Sequence, residues 1–71
     1  GFLALASGST IGILGGGQLG RMLAMAGLQL GYKVMGYAPP GDNSAADACT
    51  DFITAAWDNR TALSGFAAAC D

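Results

Sequence analysis

The run Thr10-Ile-Gly-Ile-Leu-Gly-Gly-Gly-Gln-Leu-Gly-Arg-Met-Leu23 constrains this chain more than any other stretch. Ile11, Ile13 and Leu14 read as a short buried strand, and Gly15, Gly17 and Gly20 then satisfy G-x-G-x-x-G. Leu19, Met22, Leu23 and Ala26 follow at helical spacing. A strand that turns through glycines straight into a helix presents backbone N–H groups and a positive helix end to an anion, most often a phosphate. Other chemistry is scarce, because the chain has neither His nor Glu.

The rest of the chain continues the same alternation. A helix is expected from Gln18 to about Leu30, with Leu19, Met22, Leu23, Ala26 and Leu30 as its packed apolar face and Gly31 as its stop. Lys33–Tyr37 reads as a second buried strand, ended by the loop Pro39-Pro40-Gly41-Asp42. Asn43 or Ser44 is placed to cap a short helical turn over Ala45–Ala48, and Phe52–Ala55 reads as a third strand. Asp58 or Asn59 is placed to cap a second helix from Arg60 to about Cys70, with Leu63, Phe66, Ala67 and Cys70 on one face. Strands alternating with helices predict an α/β fold with a parallel sheet, right-handed crossovers and strand order 3-2-1. A final helix in such a unit normally feeds another strand, so the expectation is a chain truncated before its fourth parallel strand. The first strand would then be an open apolar edge, inviting self-association or a return of Phe2–Ala6 to pair with it.

Composition narrows the function classes. The chain is 52% hydrophobic and 11% charged, with a net charge of −2 carried by five Asp against Arg21, Lys33 and Arg60. Three scattered bases do not make a nucleic-acid surface. No apolar run reaches the roughly 18 residues of a membrane span, and Phe2–Ala6 is too short for a signal-peptide core. Residues 1–9 read as a leader or tag-like segment ahead of a domain at residues 10–71. The mean hydropathy of +0.43 is high for an isolated soluble domain and suggests apolar surface that meets something outside the chain, with Trp57 and Phe66 as candidates. Cys49 and Cys70 lack metal-ligand spacing and read as reduced thiols used as small apolar fillers, with a disulfide between them as the other reading.

Within the loop, Gly15 would make the tight turn, Gly17 would admit a ligand to the backbone and Gly20 would let the helix approach the sheet. A dinucleotide site wants an acid about 20 residues on, at the end of the second strand. Here that strand ends Gly36-Tyr37-Ala38-Pro39, and Asp42 lies beyond two prolines. Gln18, at the helix start, carries an amide that donates and accepts, which suits ribose hydroxyls or a phosphate edge. Arg21 lies one turn on and reads as solvated or facing a carboxylate.

The string Ile11-Gly-Ile-Leu-Gly-Gly-Gly-Gln-Leu-Gly-Arg-Met-Leu-Ala24 resembles the N-terminal domain of 5-(carboxyamino)imidazole ribonucleotide synthase. The resemblance continues through Leu30-Gly-Tyr-Lys-Val34, Ala45-Ala-Asp-Ala48 and Ala67-Ala-Ala-Cys-Asp71, covering about residues 10–71. It implies a Rossmann-like, three-layer pre-ATP-grasp domain of a cytoplasmic purine-biosynthesis ligase. The parent enzyme would carboxylate the exocyclic amine of aminoimidazole ribonucleotide with ATP, Mg²⁺ and bicarbonate, and would act as a homodimer. Carried over, Gln18 and Leu19 (the latter through its backbone) would touch the substrate ribose, with Gly16 and Gly17 lining the same pocket. The resemblance places the ATP and Mg²⁺ ligands downstream of Asp71, so it implies no catalytic or metal-binding residue here and an inactive fragment. Two other readings stay open: a dinucleotide-binding piece of an oxidoreductase, and a non-catalytic interaction module whose glycine loop is only a turn.

Overall fold

The computed structural model describes residues 8–71. The elements are β1 (Thr10–Leu14), α1 (Gln18–Gln29), β2 (Lys33–Ala38), a 3₁₀ turn (Ala46–Ala48), β3 (Asp51–Thr54) and α2 (Arg60–Ala69). The three strands form one parallel sheet in the order β1-β2-β3, with Ile11 opposite Val34 and Gly36 opposite Phe52. The expected order and direction are those observed. The expected return of Phe2–Ala6 to a sheet edge lies outside the described residues.

Side-chain alternation along the strands sorts the helices onto the two faces. Ile11, Ile13 and Val34 meet α1, whereas Gly12 meets Phe66 of α2 and Cys70 just after it. Tyr37 also points to the α2 side, where its ring lies 5.5 Å from Phe66 edge-on and 5.6 Å from Trp57. Its hydroxyl donates to the Ala56 carbonyl at 2.6 Å. The result is a three-layer arrangement with Val34 and Tyr37 fully buried at its centre.

The face of α1 that meets the sheet is not the predicted one. Ala24 and Gly27 are its buried residues, while Leu19 is 70% exposed and Leu30 72% exposed, with Met22, Leu23 and Met25 also open. The cause is how close the helix sits. A Cβ at Gly27 would lie 2.9 Å from Ile11 Cδ1 and 3.1 Å from Val34 Cγ2, so the sheet's own branched side chains already fill that interface. Only the smallest residues fit opposite them, which displaces the leucine face to the outside.

Other corrections are smaller. Asn43 and Ser44 do not cap the 3₁₀ turn; Ala45, which has no side-chain acceptor, holds that position, and its N–H donates to the Gly16 carbonyl at 2.8 Å. β3 begins one residue earlier than expected, where Thr50 N–H reaches the Val34 carbonyl at 2.8 Å and sets the register. Phe66 is buried rather than exposed, whereas Trp57 is about half exposed. Asn59 caps α2 as expected, its Oδ1 accepting from Ala62 N–H at 2.9 Å. Asp71 meets the outer side of β1, where its N–H donates to the Thr10 carbonyl at 2.8 Å and its carboxylate accepts from Thr10 N–H at 2.7 Å. Cys49 and Cys70 are free thiols, one against Gly36 and the other against Gly12, on opposite faces of the sheet. Among the described residues no helix is long and apolar enough to cross a membrane.

Candidate functional site

The site is built where β1 ends. Gly15 takes φ +112°, a left-handed conformation that a side chain disfavours, and its N–H donates to the Tyr37 carbonyl at 2.7 Å. The chain therefore leaves the sheet abruptly and enters α1 at Gln18, with Gly17 as an N-cap that supplies no side-chain hydrogen bond. Gly20 lets α1 start close to the turn, since a Cβ there would lie 2.8 Å from the Gly15 carbonyl oxygen. An open cleft of about 330 Å³ results, lined by Ile13, Leu14, Gly15, Gly17, Gln18, Leu19, Gly20 and Leu23. It lies at the carboxyl end of the first strand, where open α/β sheets bind ligands.

Three of the four predicted site residues, Gly17, Gln18 and Leu19, line this cleft. Gly16 does not. It is buried behind the cleft under the loop that follows β2, and a Cβ on it would lie 2.8 Å from the Asp42 carbonyl carbon and 3.1 Å from Phe52 Cζ. Its role in the geometry is to let that loop close on the glycine turn.

Asp42 is the residue that sequence reasoning passed over. Pro39-Pro40-Gly41-Asp42 forms a turn closed by Asp42 N–H to the Pro39 carbonyl at 3.2 Å, with Gly41 at φ +91°. Proline second and glycine third is the signature of a type II turn, and it was the signal available in the sequence. The turn reverses the chain so that the Asp42 carboxylate accepts from Gly16 N–H at 3.3 Å. Arg21 holds the same loop from the other side: its guanidinium donates to the Ser44 carbonyl at 3.1 Å and pairs with Asp47. Arg21 thus faces a carboxylate of its own chain rather than the cleft.

The arrangement can bind but holds no catalytic constellation. The first turn of α1 offers backbone donors and Gln18 offers a side-chain amide to whatever enters the cleft. Among the described residues no three His, Cys, Asp or Glu side chains gather where a metal ion could be held. Lys33 opens β2, at the opposite end of the sheet from the glycine turn. The described residues that line the cleft do not fit an ATP–Mg²⁺ complex, because they include neither a carboxylate for the metal nor a cation for the phosphates.

Comparison with known proteins decides the family. The model of the ribonucleotide synthetase preATP-grasp domain matches residues 8–71. This chain belongs to that family. The N5-carboxyaminoimidazole ribonucleotide synthase of Brucella melitensis is 50% identical over 68 residues, which is 96% of this chain and 19% of that protein. The bifunctional purine synthesis protein purC/E of Dictyostelium discoideum is 49% identical over 69 residues, 97% of this chain and 7% of its own length. The crystal structure of N5-carboxyaminoimidazole synthetase from Staphylococcus aureus complexed with ADP superimposes with a TM-score of 0.89 at 42% identity, over 94% of this chain and 18% of that one. The preATP-grasp chain thus spans a fifth or less of these relatives. The shared α/β architecture extends over nearly all of it.

Proposed function

We propose that this preATP-grasp chain is the N-terminal part of an ATP-grasp ligase of purine biosynthesis and forms one wall of its ribonucleotide pocket. The whole enzyme carboxylates the exocyclic amine of aminoimidazole ribonucleotide with ATP and bicarbonate, in the cytoplasm and as a homodimer. The observation that carries the reading is the cleft at Gly17, Gln18 and Leu19, formed in a chain whose relatives are N5-carboxyaminoimidazole ribonucleotide synthases. Gln18 orients the ribose through its amide, Leu19 through its backbone, and Gly17 admits the sugar to the chain. Gly16 acts from behind by holding the loop of Asp42 in place. ATP and Mg²⁺ are bound by the remainder of the enzyme, and residues 1–9 precede the domain at residues 10–71 as a leader. The end of β2 supports this reading over the dinucleotide one, because Ala38 stands where an acid would bind a dinucleotide ribose.

Calorimetric titration of the whole polypeptide tests the choice. Saturable binding of aminoimidazole ribonucleotide, with none of NADH, is the expected result; saturable NADH binding without the ribonucleotide would overturn it. The 71-residue chain by itself self-associates through the edge of β1, which no strand among the described residues covers beyond Thr10. A monomer at every concentration in sedimentation velocity would refute that part.

A further inference from the structure

The glycine turn has the form of a phosphate loop, yet it holds an anion of its own. The Asp42 carboxylate accepts from Gly16 N–H through Oδ2 at 3.3 Å, and its Oδ1 lies 3.9 Å from where a Cβ on Gly17 would stand. Gly17 lines the cleft, so the charge sits just behind the cleft wall. The carboxylate is carried on a pinned loop. Its backbone is fixed by the turn to Pro39, by Ala45 N–H on the Gly16 carbonyl and by Arg21 on the Ser44 carbonyl. Nor is it neutralised: among the described residues the ion pair of this loop joins Arg21 to Asp47, not to Asp42.

We infer that Asp42 is a specificity-determining residue, which excludes phosphate from the glycine turn and so turns the sugar end of a ribonucleotide toward Gly17 and Gln18. The physical step is simple. A phosphate in the cleft at the Gly17 amide would lie within roughly 5 Å of the carboxylate, and like charges at that distance in a partly solvated site cost at least about a tenfold loss in affinity. A sugar hydroxyl carries no charge and meets no such penalty. The orientation half of the inference rests on the ribonucleotide reading, whereas the exclusion of phosphate does not.

The test uses inorganic phosphate as the probe and the ¹⁵N-labelled backbone amide of Gly17 in the whole polypeptide as reporter. Wild type and the distant control Asp58→Asn show no saturable phosphate shift at Gly17. Asp42→Asn, which keeps an acceptor oxygen for Gly16 N–H but removes the charge, gains one and binds phosphate at least about tenfold more tightly. Asp42→Ser is the second neutral variant, and amide dispersion in each spectrum reports folding. Equal phosphate responses in wild type and both Asp42 variants, whether all bind or none does, overturn the inference. Failure of the ribonucleotide reading shows separately, as an absence of shifts at Gln18 and Leu19 when aminoimidazole ribonucleotide is added to the wild-type whole polypeptide.

Discussion

Replacing Gly16 by alanine probes the junction on which the cleft depends. Gly16 is not at positive φ, so its backbone accepts a side chain and the effect is one of space. The new Cβ would lie 2.8 Å from the Asp42 carbonyl carbon and 3.1 Å from Phe52 Cζ, with the carbonyl oxygen closer still. Ordinary carbon contacts are about 3.5–4.0 Å, so the loop must retreat by about 1 Å. That movement breaks the Ala45 to Gly16 hydrogen bond at 2.8 Å and the Gly16 to Asp42 bond at 3.3 Å. Each is worth about 1 kcal/mol net, and overpacking adds about 1–3 kcal/mol. The unfolded chain gives back about 0.4–1 kcal/mol through its lost freedom, leaving about 2–4 kcal/mol of destabilisation. A chain of 71 residues holds only about 4–11 kcal/mol in all. Urea denaturation followed by Trp57 fluorescence and far-UV circular dichroism reads the change, with a fall in melting temperature of about 10–30 °C. Gly17→Ala is the control, because its Cβ would meet Asp42 Oδ1 only at 3.9 Å, and it costs less than about 1 kcal/mol. Equal stability of Gly16→Ala and wild type would refute the steric account of the buried glycine.

Phe66→Ala removes the ring that packs on Tyr37 and on Gly12, and it lowers stability by about 3–4 kcal/mol in the same denaturation assay. Arg21→Ala costs at most about 1 kcal/mol, because its partner Asp47 is largely exposed; a larger loss would mean that the ion pair does more than position a surface loop. Burial, reinforced by the neighbouring Asp47 and Asp71 carboxylates, pushes the Cys49 and Cys70 thiols above the usual range. Both groups are raised in the folded state, so their contribution to stability is full below the ordinary thiol pKa and is lost as pH rises through the folded values. Alkylation by iodoacetamide at neutral pH is therefore slower in the folded chain than in urea, and equal rates would contradict the partial burial of both thiols.

The strands, their order and the glycine turn were legible because each rests on local chemistry. Ile11 and Ile13 alternate with Gly12, Gly15 permits the turn, and Asn59 announces the second helix. The buried face of α1 was not legible, because periodicity assumes that the larger apolar residues go inward. Here Ile11 and Val34 project from the sheet, and only Ala24 and Gly27 fit against it. The site divided in the same way. Gln18 and Leu19 follow the glycines directly and could be placed by position alone. Asp42 reaches Gly16 only after two strands have paired and the Pro39–Asp42 turn has closed, a return that spacing along the chain does not encode.

Steady-state kinetics of Gln18→Ala in the whole polypeptide tests the ribonucleotide wall most directly. Loss of one hydrogen bond to the ribose raises KM for aminoimidazole ribonucleotide about three- to tenfold and leaves KM for ATP unchanged. An unchanged KM for the ribonucleotide, or a rise confined to ATP, would contradict the assignment of the Gln18 cleft to the ribonucleotide.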